Sequence, residues 1–220
     1  RRICKKCSLV FTVSEYSKAL ICAEYAVSKE KVLVIHNGYD HFKTVQADES
    51  IFAQFPQLQA NTYFFTLGSL SKRKNLRWIA EYARLHPEHH FAISGTAISG
   101  LVPPELEGLK TLHNVTLLGY VSDGQVKALM QHAKAFVFPS YYEGFGIPPL
   151  EALSCGCPII VAHAASLPEL FGSAAHYIQA DNWNVNLEEL LQQPVSEAAP
   201  LLERYTYDKA AEALKKALQL

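Results

Sequence analysis

The chain has 220 residues, 49% hydrophobic and 19% charged, the size and make-up of a globular fold around one hydrophobic core. Lys plus Arg number 20 against 21 Asp plus Glu, and the net charge of -1 excludes a global pull toward nucleic acid or an anionic membrane. No apolar run approaches the ~18 residues that a bilayer-crossing helix needs.

In chain order, short apolar strands alternate with amphipathic helices. Residues 9–13 favour a strand, and Ser14 is an N-cap candidate for a helix through about Ala26. Residues 31–35 read as a second strand, closed by a turn at Asn37-Gly38. Residues 40–61 are polar and aperiodic, which predicts an irregular connection. From residue 62 the rhythm is regular. Strands are expected at 63–67, 91–94, 115–118, 135–138, 158–162 and 176–178, with helices at 75–86, 123–132 and 149–155 between them. A loop with Pro103-Pro104 interrupts the series, and helices at 187–192, 196–204 and 207–220 end it. The strands from 63 onward are apolar throughout rather than alternating, as strands buried on both faces are. Helical crossovers between them imply an α/β fold with a Rossmann-like, doubly wound parallel sheet. Ligands of such sheets bind at the carboxyl ends of the strands, so the strand-to-helix loops are where function is expected.

Five cysteines at irregular spacing argue for free thiols in a reducing compartment. The start, Arg1 to Cys7, lacks the apolar core of a signal peptide. The expected location is therefore cytoplasmic, extending to the inner face of the membrane as a peripheral protein. Cys4-x-x-Cys7 has no second ligand pair to complete a zinc site. The nine histidines are scattered without a ligand pair placed at a loop, so surface or hydrogen-bonded roles are expected for them.

Two loops look like parts of an anion site. Gly68-Ser69-Leu70-Ser71-Lys72-Arg73-Lys74-Asn75 follows a strand and opens a helix. Three cations there oppose the positive end of the helix dipole, a conflict that an anion held by Arg73, Lys74 and free helix amides would remove. The second loop, Pro139 to Glu151, carries Gly144 and Gly146, where backbone can approach a ligand. Pro148 and Pro149 suit a helix start. Glu151 is expected in the first turn, facing the same crevice as Glu143, and two such carboxylates suit a polyhydroxylated ligand.

Glu143-Gly144-Phe145-Gly146-Ile147-Pro148-Pro149-Leu150-Glu151 closely resembles the E-x7-E signature of the family 4 (GT4) retaining glycosyltransferases, which have the GT-B fold. Other matches keep the family's order: Val13 to Lys18 resembles "VSEFSK", Val34 to Asp40 "V-I-x-N-G-V-D", and Gly68 to Asn75 "G-S-L-x-x-R-K-N". Val115 to Val121 resembles "V-x-x-L-G-Y-V", Ala152 to Pro158 the stretch after E-x7-E, and Ser166 to Glu169 "S-L-P-E". The resemblance implies that Lys74, with Arg73, holds the diphosphate of a UDP- or GDP-sugar and that Glu151 accepts from the ribose hydroxyls. It implies further that Glu143 faces the donor sugar, that the backbone of Gly144, Phe145, Gly146 and Ile147 contacts sugar and phosphate, and that Tyr120 and Val121 hold the base. Gly68 and Ser69 belong to the same donor loop. Ser69 stands where many members carry Arg, so that either Arg73 supplies that charge or the grip on phosphate is weaker.

In such enzymes the leaving diphosphate helps to deprotonate the acceptor while the protein stabilises the phosphate charge. The catalytic group implied is Glu143, Lys74 and Arg73, with no cofactor and no metal. The five Asp residues indeed include no Asp-x-Asp pair to hold a divalent cation. The family match begins at what resembles the end of an acceptor-binding half. Residues 1–61 are therefore expected to be the end of that half plus the interdomain linker. Residues 62–220 are expected to be the nucleotide-sugar-binding domain with its closing helix. The expected function is the donor half of a metal-independent hexosyltransferase acting on a glycan or lipid-linked acceptor, in a setting such as polysaccharide biosynthesis. On that reading the missing half leaves this piece weakly active or inactive by itself, and the exposed interdomain face favours self-association. The alternatives are a GT-B-like nucleotide-sugar epimerase and a non-catalytic nucleotide-sugar-binding partner domain.

Overall fold

A computed structural model describes residues 4, 6–68, 71–95 and 108–219. Ser69, the loop around Pro103-Pro104 and Leu220 lie outside the described residues. Strand β1 (Val10–Thr12), helix α1 (Glu15–Tyr25) and strand β2 (Val32–Val34) form a small unit in which β1 and β2 pair in parallel. A short helix α2 (Ser50–Gln54) leads to β3 (Tyr63–Leu67), α3 (Leu76–Leu85), β4 (His90–Ser94) and β5 (Val115–Gly119). Then come α4 (Asp123–His132), β6 (Ala135–Phe138), α5 (Ile147–Ser154), β7 (Ile159–Ala162), α6 (Leu167–Phe171) and β8 (His176–Ile178). Helices α7 (Leu187–Leu191), α8 (Ala199–Arg204) and α9 (Tyr207–Leu218) end the described chain.

The large sheet has the order β5-β4-β3-β6-β7-β8 with every neighbouring pair parallel. Chain direction of travel reverses between β3 and β6, which makes that gap the topological switch point of a doubly wound sheet. The expected α/β architecture is thus the observed one.

Both sheet faces are buried because successive side chains point to opposite sides. Phe65, Phe136, Phe138 and Val161 face one core together with α4 and α5. Phe64, Phe91, Val137 and Ile160 face the other, with Trp78, Ile79 and Tyr82 of α3. Burying each such large apolar side chain stabilises the fold by roughly 1.5–3 kcal/mol.

Two segments differ from the sequence expectation. Residues 40–61 are not irregular throughout, since a 3-10 turn at Asp40–Thr44 and helix α2 insert Phe42 and Ile51 into the core. Both are too short to show a helical period. Helix α6 arises after Ser166, where Pro168 sits in the first turn and Leu167, Leu170 and Phe171 are buried. Helix α5 begins at Ile147, two residues before Pro149, so that both prolines occupy first-turn positions whose N–H groups have no helical partner, and Glu151, expected in the first turn, is its fifth residue. Among the described residues no helix is long and apolar enough to cross a membrane.

Candidate functional site at the carboxyl ends of β3 and β6

The loops after β3 and β6 meet at the switch point, and Asn75 joins them. Its backbone is left-handed (φ 55°), a conformation Asn tolerates, and its side-chain oxygen caps α3 by accepting from the Trp78 N–H. Its amide donates to the Pro139 carbonyl at 2.9 Å and the Ala180 carbonyl at 2.8 Å. The Tyr141 N–H donates to the Arg73 carbonyl, and the Arg73 guanidinium to the Tyr142 carbonyl. The two loops are therefore stitched along their length.

Within this seam Lys74 Nζ lies 2.8 Å from Glu143 Oε1, and Arg73 NH1 lies 2.6 Å from Glu143 Oε2. Lys74 also sits 4.4 Å above the centre of the Phe138 ring. Burial pushes its pKa down, the Glu143 carboxylate opposes that shift, and Arg73 adds to it. Gly68 (φ +149°) ends β3 beneath this ammonium, and a Cβ there would come within 3.0 Å of Lys74 Cε and 3.3 Å of Nζ. The cations that looked misplaced before a helix thus occupy their own 3-10 turn, Lys72–Lys74, and two of them, Arg73 and Lys74, find a counter-charge inside the protein. Sequence reasoning assigned that counter-charge to a ligand and did not foresee Glu143 in the role.

Residues outside the two loops hold the Glu143 segment in place. Ser14 Oγ donates to the Gly144 carbonyl at 2.7 Å while capping α1. Ser166 Oγ, fully buried, donates to the Glu143 carbonyl at 2.9 Å. Glu169 receives the N–H groups of Glu15 and Tyr16 on its two carboxylate oxygens, each at 2.8 Å. The positive end of α1 is thereby tied to the chain that follows β7. Gly146 (φ +115°) lies against α6, and a Cβ there would meet Leu167 Cδ2 at 3.0 Å. Phe145 turns into the core against Tyr205.

Beside this cluster opens a cleft of about 370 Å³, lined among others by Gly68, Tyr120, Val121 and Glu151. Glu151 is mostly buried and pairs with His41, Nε2 to Oε1 at 2.9 Å. Burial raises the Glu151 pKa, His41 opposes the rise, and Asp123 adds to it. Tyr120 is 82% exposed at the rim. The two carboxylates therefore take separate partners: Glu151 faces the cleft with His41, whereas Glu143 is engaged by Lys74 and Arg73 and is not among the cleft's lining residues. Glu143, Gly144, Phe145, Gly146 and Ile147 all lie outside that lining. His41, Ser94, Gly95 and Asp123 also line the cleft, with Phe42, Leu67 and Val126, and were not singled out from the sequence. For Gly95 and Asp123 a signal existed, since both directly follow strand ends or open a helix. For His41 there was none, because its stretch carries no period.

The described fold is shared with solved structures. Sucrose-phosphate synthase from Thermosynechococcus elongatus superposes with a TM-score of 0.79 at 18% identity, covering 99% of this chain and 59% of that one. The Anabaena protein Alr3699/HepE, in complex with UDP and glucose, gives a TM-score of 0.79 at 21% identity over 99% of this chain and 65% of that one. Sequence relatives include the O-antigen chain mannosyltransferase B of Escherichia coli, 31% identical over 76% of this chain and 46% of its own length. The O-antigen chain mannosyltransferase RfbU of Salmonella typhimurium is 28% identical over 93% of this chain and 57% of its own. The chain thus spans about half the length of these relatives. Residues 48–212 match the family described as glycosyl transferases group 1. That span takes in both loops of the switch point and the whole large sheet, and on it this chain belongs to the group 1 glycosyl transferases.

Proposed function

We propose that this chain supplies the donor side of a retaining, metal-independent hexosyltransferase and binds a UDP- or GDP-sugar at the β3–β6 switch point. The observation that carries the reading is the placing of Lys74 and Arg73 beside a cleft that ends on a buried carboxylate, Glu151. A nucleoside diphosphate matches that order of groups. The base lies toward Tyr120 and Val121, the ribose hydroxyls donate to Glu151, and the diphosphate reaches Lys74 and Arg73. Glu143, next to the cations, is then within reach of the sugar, and the backbone of Gly144 to Ile147 borders it.

As the glycosidic bond to the diphosphate breaks, negative charge grows on the leaving phosphate oxygen. Lys74, held against Phe138 and little exposed, stabilises that charge once the diphosphate has taken the place of Glu143 on its ammonium. The acceptor oxygen bonds to the anomeric carbon from the face the diphosphate leaves and gives its proton to the leaving phosphate oxygen, so the anomeric configuration is retained. A GT-B site lies between two Rossmann-like units, so the acceptor is bound by a second unit facing this cleft. The relatives named mannosyltransferases and the neighbour bound to UDP and glucose support a hexose on a nucleotide carrier as the donor class.

Calorimetry with UDP, GDP, UDP-glucose and GDP-mannose tests the assignment. Saturable binding to at least one, weakened by both Lys74→Ala and Glu151→Ala, is the expected result. Binding to none of the four would remove the donor-site reading.

A further inference from the structure

We propose that His86, Glu88 and His89 form a binding site for a divalent transition cation, Zn2+ by its ligand set, at the amino ends of the strands and away from the donor cleft. Among the described residues these three bring one ligating atom each to within 4.8 Å of one another. His86 closes α3, the chain turns through Pro87 and Glu88, and His89 directly precedes β4. The scattered histidines of the sequence thus include a His-x-x-His pair set on a tight turn.

That turn is built before any ion arrives. The His89 N–H donates to the His86 carbonyl at 3.0 Å. Asn114, buried just ahead of β5, donates its side-chain amide to the carbonyls of Ala83, His86 and His89 at 3.0, 3.1 and 2.9 Å. The Tyr82 ring stacks on His86 (4.3 Å between centroids, 22°) and on His89 (5.8 Å, 11°), so both imidazole planes are set by a buried neighbour.

Reaching ligand spacing opens the Glu88–His86 pair slightly and closes the Glu88–His89 pair. Glu88 Oε1 is 3.1 Å from His86 Nδ1 and 4.0 Å from His89 Nε2. A tetrahedral Zn2+ with N and O ligands at about 2.0–2.2 Å places its ligand atoms roughly 3.3–3.5 Å apart. The other nitrogen of His89, Nδ1, lies 2.8 Å from the Tyr82 hydroxyl. In the ion-bound form Nδ1 keeps its proton and donates to that oxygen, the kind of outer partner that orients a ligating imidazole. Two imidazoles with one carboxylate favour Zn2+ over Mg2+ or Ca2+, which prefer all-oxygen sets. Glu188, 3.5 Å from His89 Nε2 and engaged by Lys134, or a water supplies the fourth position. The ion would clip the end of α3 to the start of β4.

The test uses the whole chain after treatment with a chelator. Zn2+ is titrated by calorimetry, and Co2+ serves as a spectroscopic stand-in. Expected are one equivalent of Zn2+ bound, a raised thermal midpoint, and Co2+ bands of nitrogen and oxygen coordination. Glu88→Gln, at an exposed position where folding is unaffected, and His86→Gln should each weaken binding by about tenfold or more. The absence of saturable binding would overturn the proposal. So would an affinity unchanged in both variants, or a thiolate charge-transfer band with Co2+, which would put the ion on the cysteines.

Discussion

Lys74 and Glu143 form an ion pair, Nζ to Oε1 at 2.8 Å, with the two side chains only 12% and 11% exposed. An incoming diphosphate would compete with a carboxylate already seated on its cation. Glu143→Gln removes that competition and the repulsion between carboxylate and phosphate. Its affinity for free UDP or GDP should rise by about tenfold, or roughly 1.4 kcal/mol, while sugar transfer in the complete enzyme falls. Isothermal titration of the variant against the parent chain decides this, and weaker binding by the variant would contradict the exchange.

Lys74→Ala should act in the opposite sense. A charge-assisted contact to phosphate is worth about 1.5–3 kcal/mol, so nucleoside diphosphate affinity should drop by roughly ten- to a hundredfold. Arg73→Ala should lose less, because that side chain is 43% exposed and more strongly screened. Comparing the two variants by the same titration measures the difference.

Acidification should weaken donor binding through Glu151. Its folded pKa lies above the ordinary carboxylate value because burial disfavours the charged form. The carboxylate that accepts from ribose hydroxyls is therefore lost earlier, as pH falls, than an exposed Glu would lose it. His41 opposes the rise, so His41→Gln should move the onset to still higher pH. For stability the sign is reversed. A raised folded pKa means the native state binds more protons than the unfolded chain over that window, so this group's contribution to stability is lost as pH rises through it. Glu151→Gln should accordingly hold or raise the thermal midpoint at neutral pH while impairing nucleotide binding. Affinity measured from pH 5 to 8, with thermal melts alongside, checks both.

Glu169→Ala should loosen the contact between α1 and the site. Its carboxylate accepts the first two N–H groups of α1, and loss of such a cap costs about 1 kcal/mol. For a chain of this size that lowers the melting midpoint by roughly 2–4 °C. A midpoint unchanged by the substitution would mean that water replaces the cap without loss.

The large sheet was legible because its strands are apolar along their whole length and its helices carry caps at their starts. Asn75 and Ser122 both cap helices through their side chains. Helices α2 and α6 escaped because each has five residues, too few to display a period, and their existence depends on Ile51 and Phe171 finding a core. The donor loops were legible as motifs. What the residues in them touch was not.

By itself the sequence determined the order of strands and helices, the burial of both sheet faces, and the loops in which charge would gather. Hydrophobic periodicity and helix caps are local properties, readable within a few residues. Only the tertiary structure decided that Glu143 meets Lys74 and Arg73, that Glu151 meets His41, and that His86, Glu88 and His89 share a turn pinned by Asn114. The Glu143 and Glu151 pairings join segments far apart in the chain, and Asn114 reaches the His86–His89 turn from 25 residues beyond it. They depend on the parallel sheet bringing its strand ends together, and the geometry of charged side chains at those ends is set by what the sheet places opposite them.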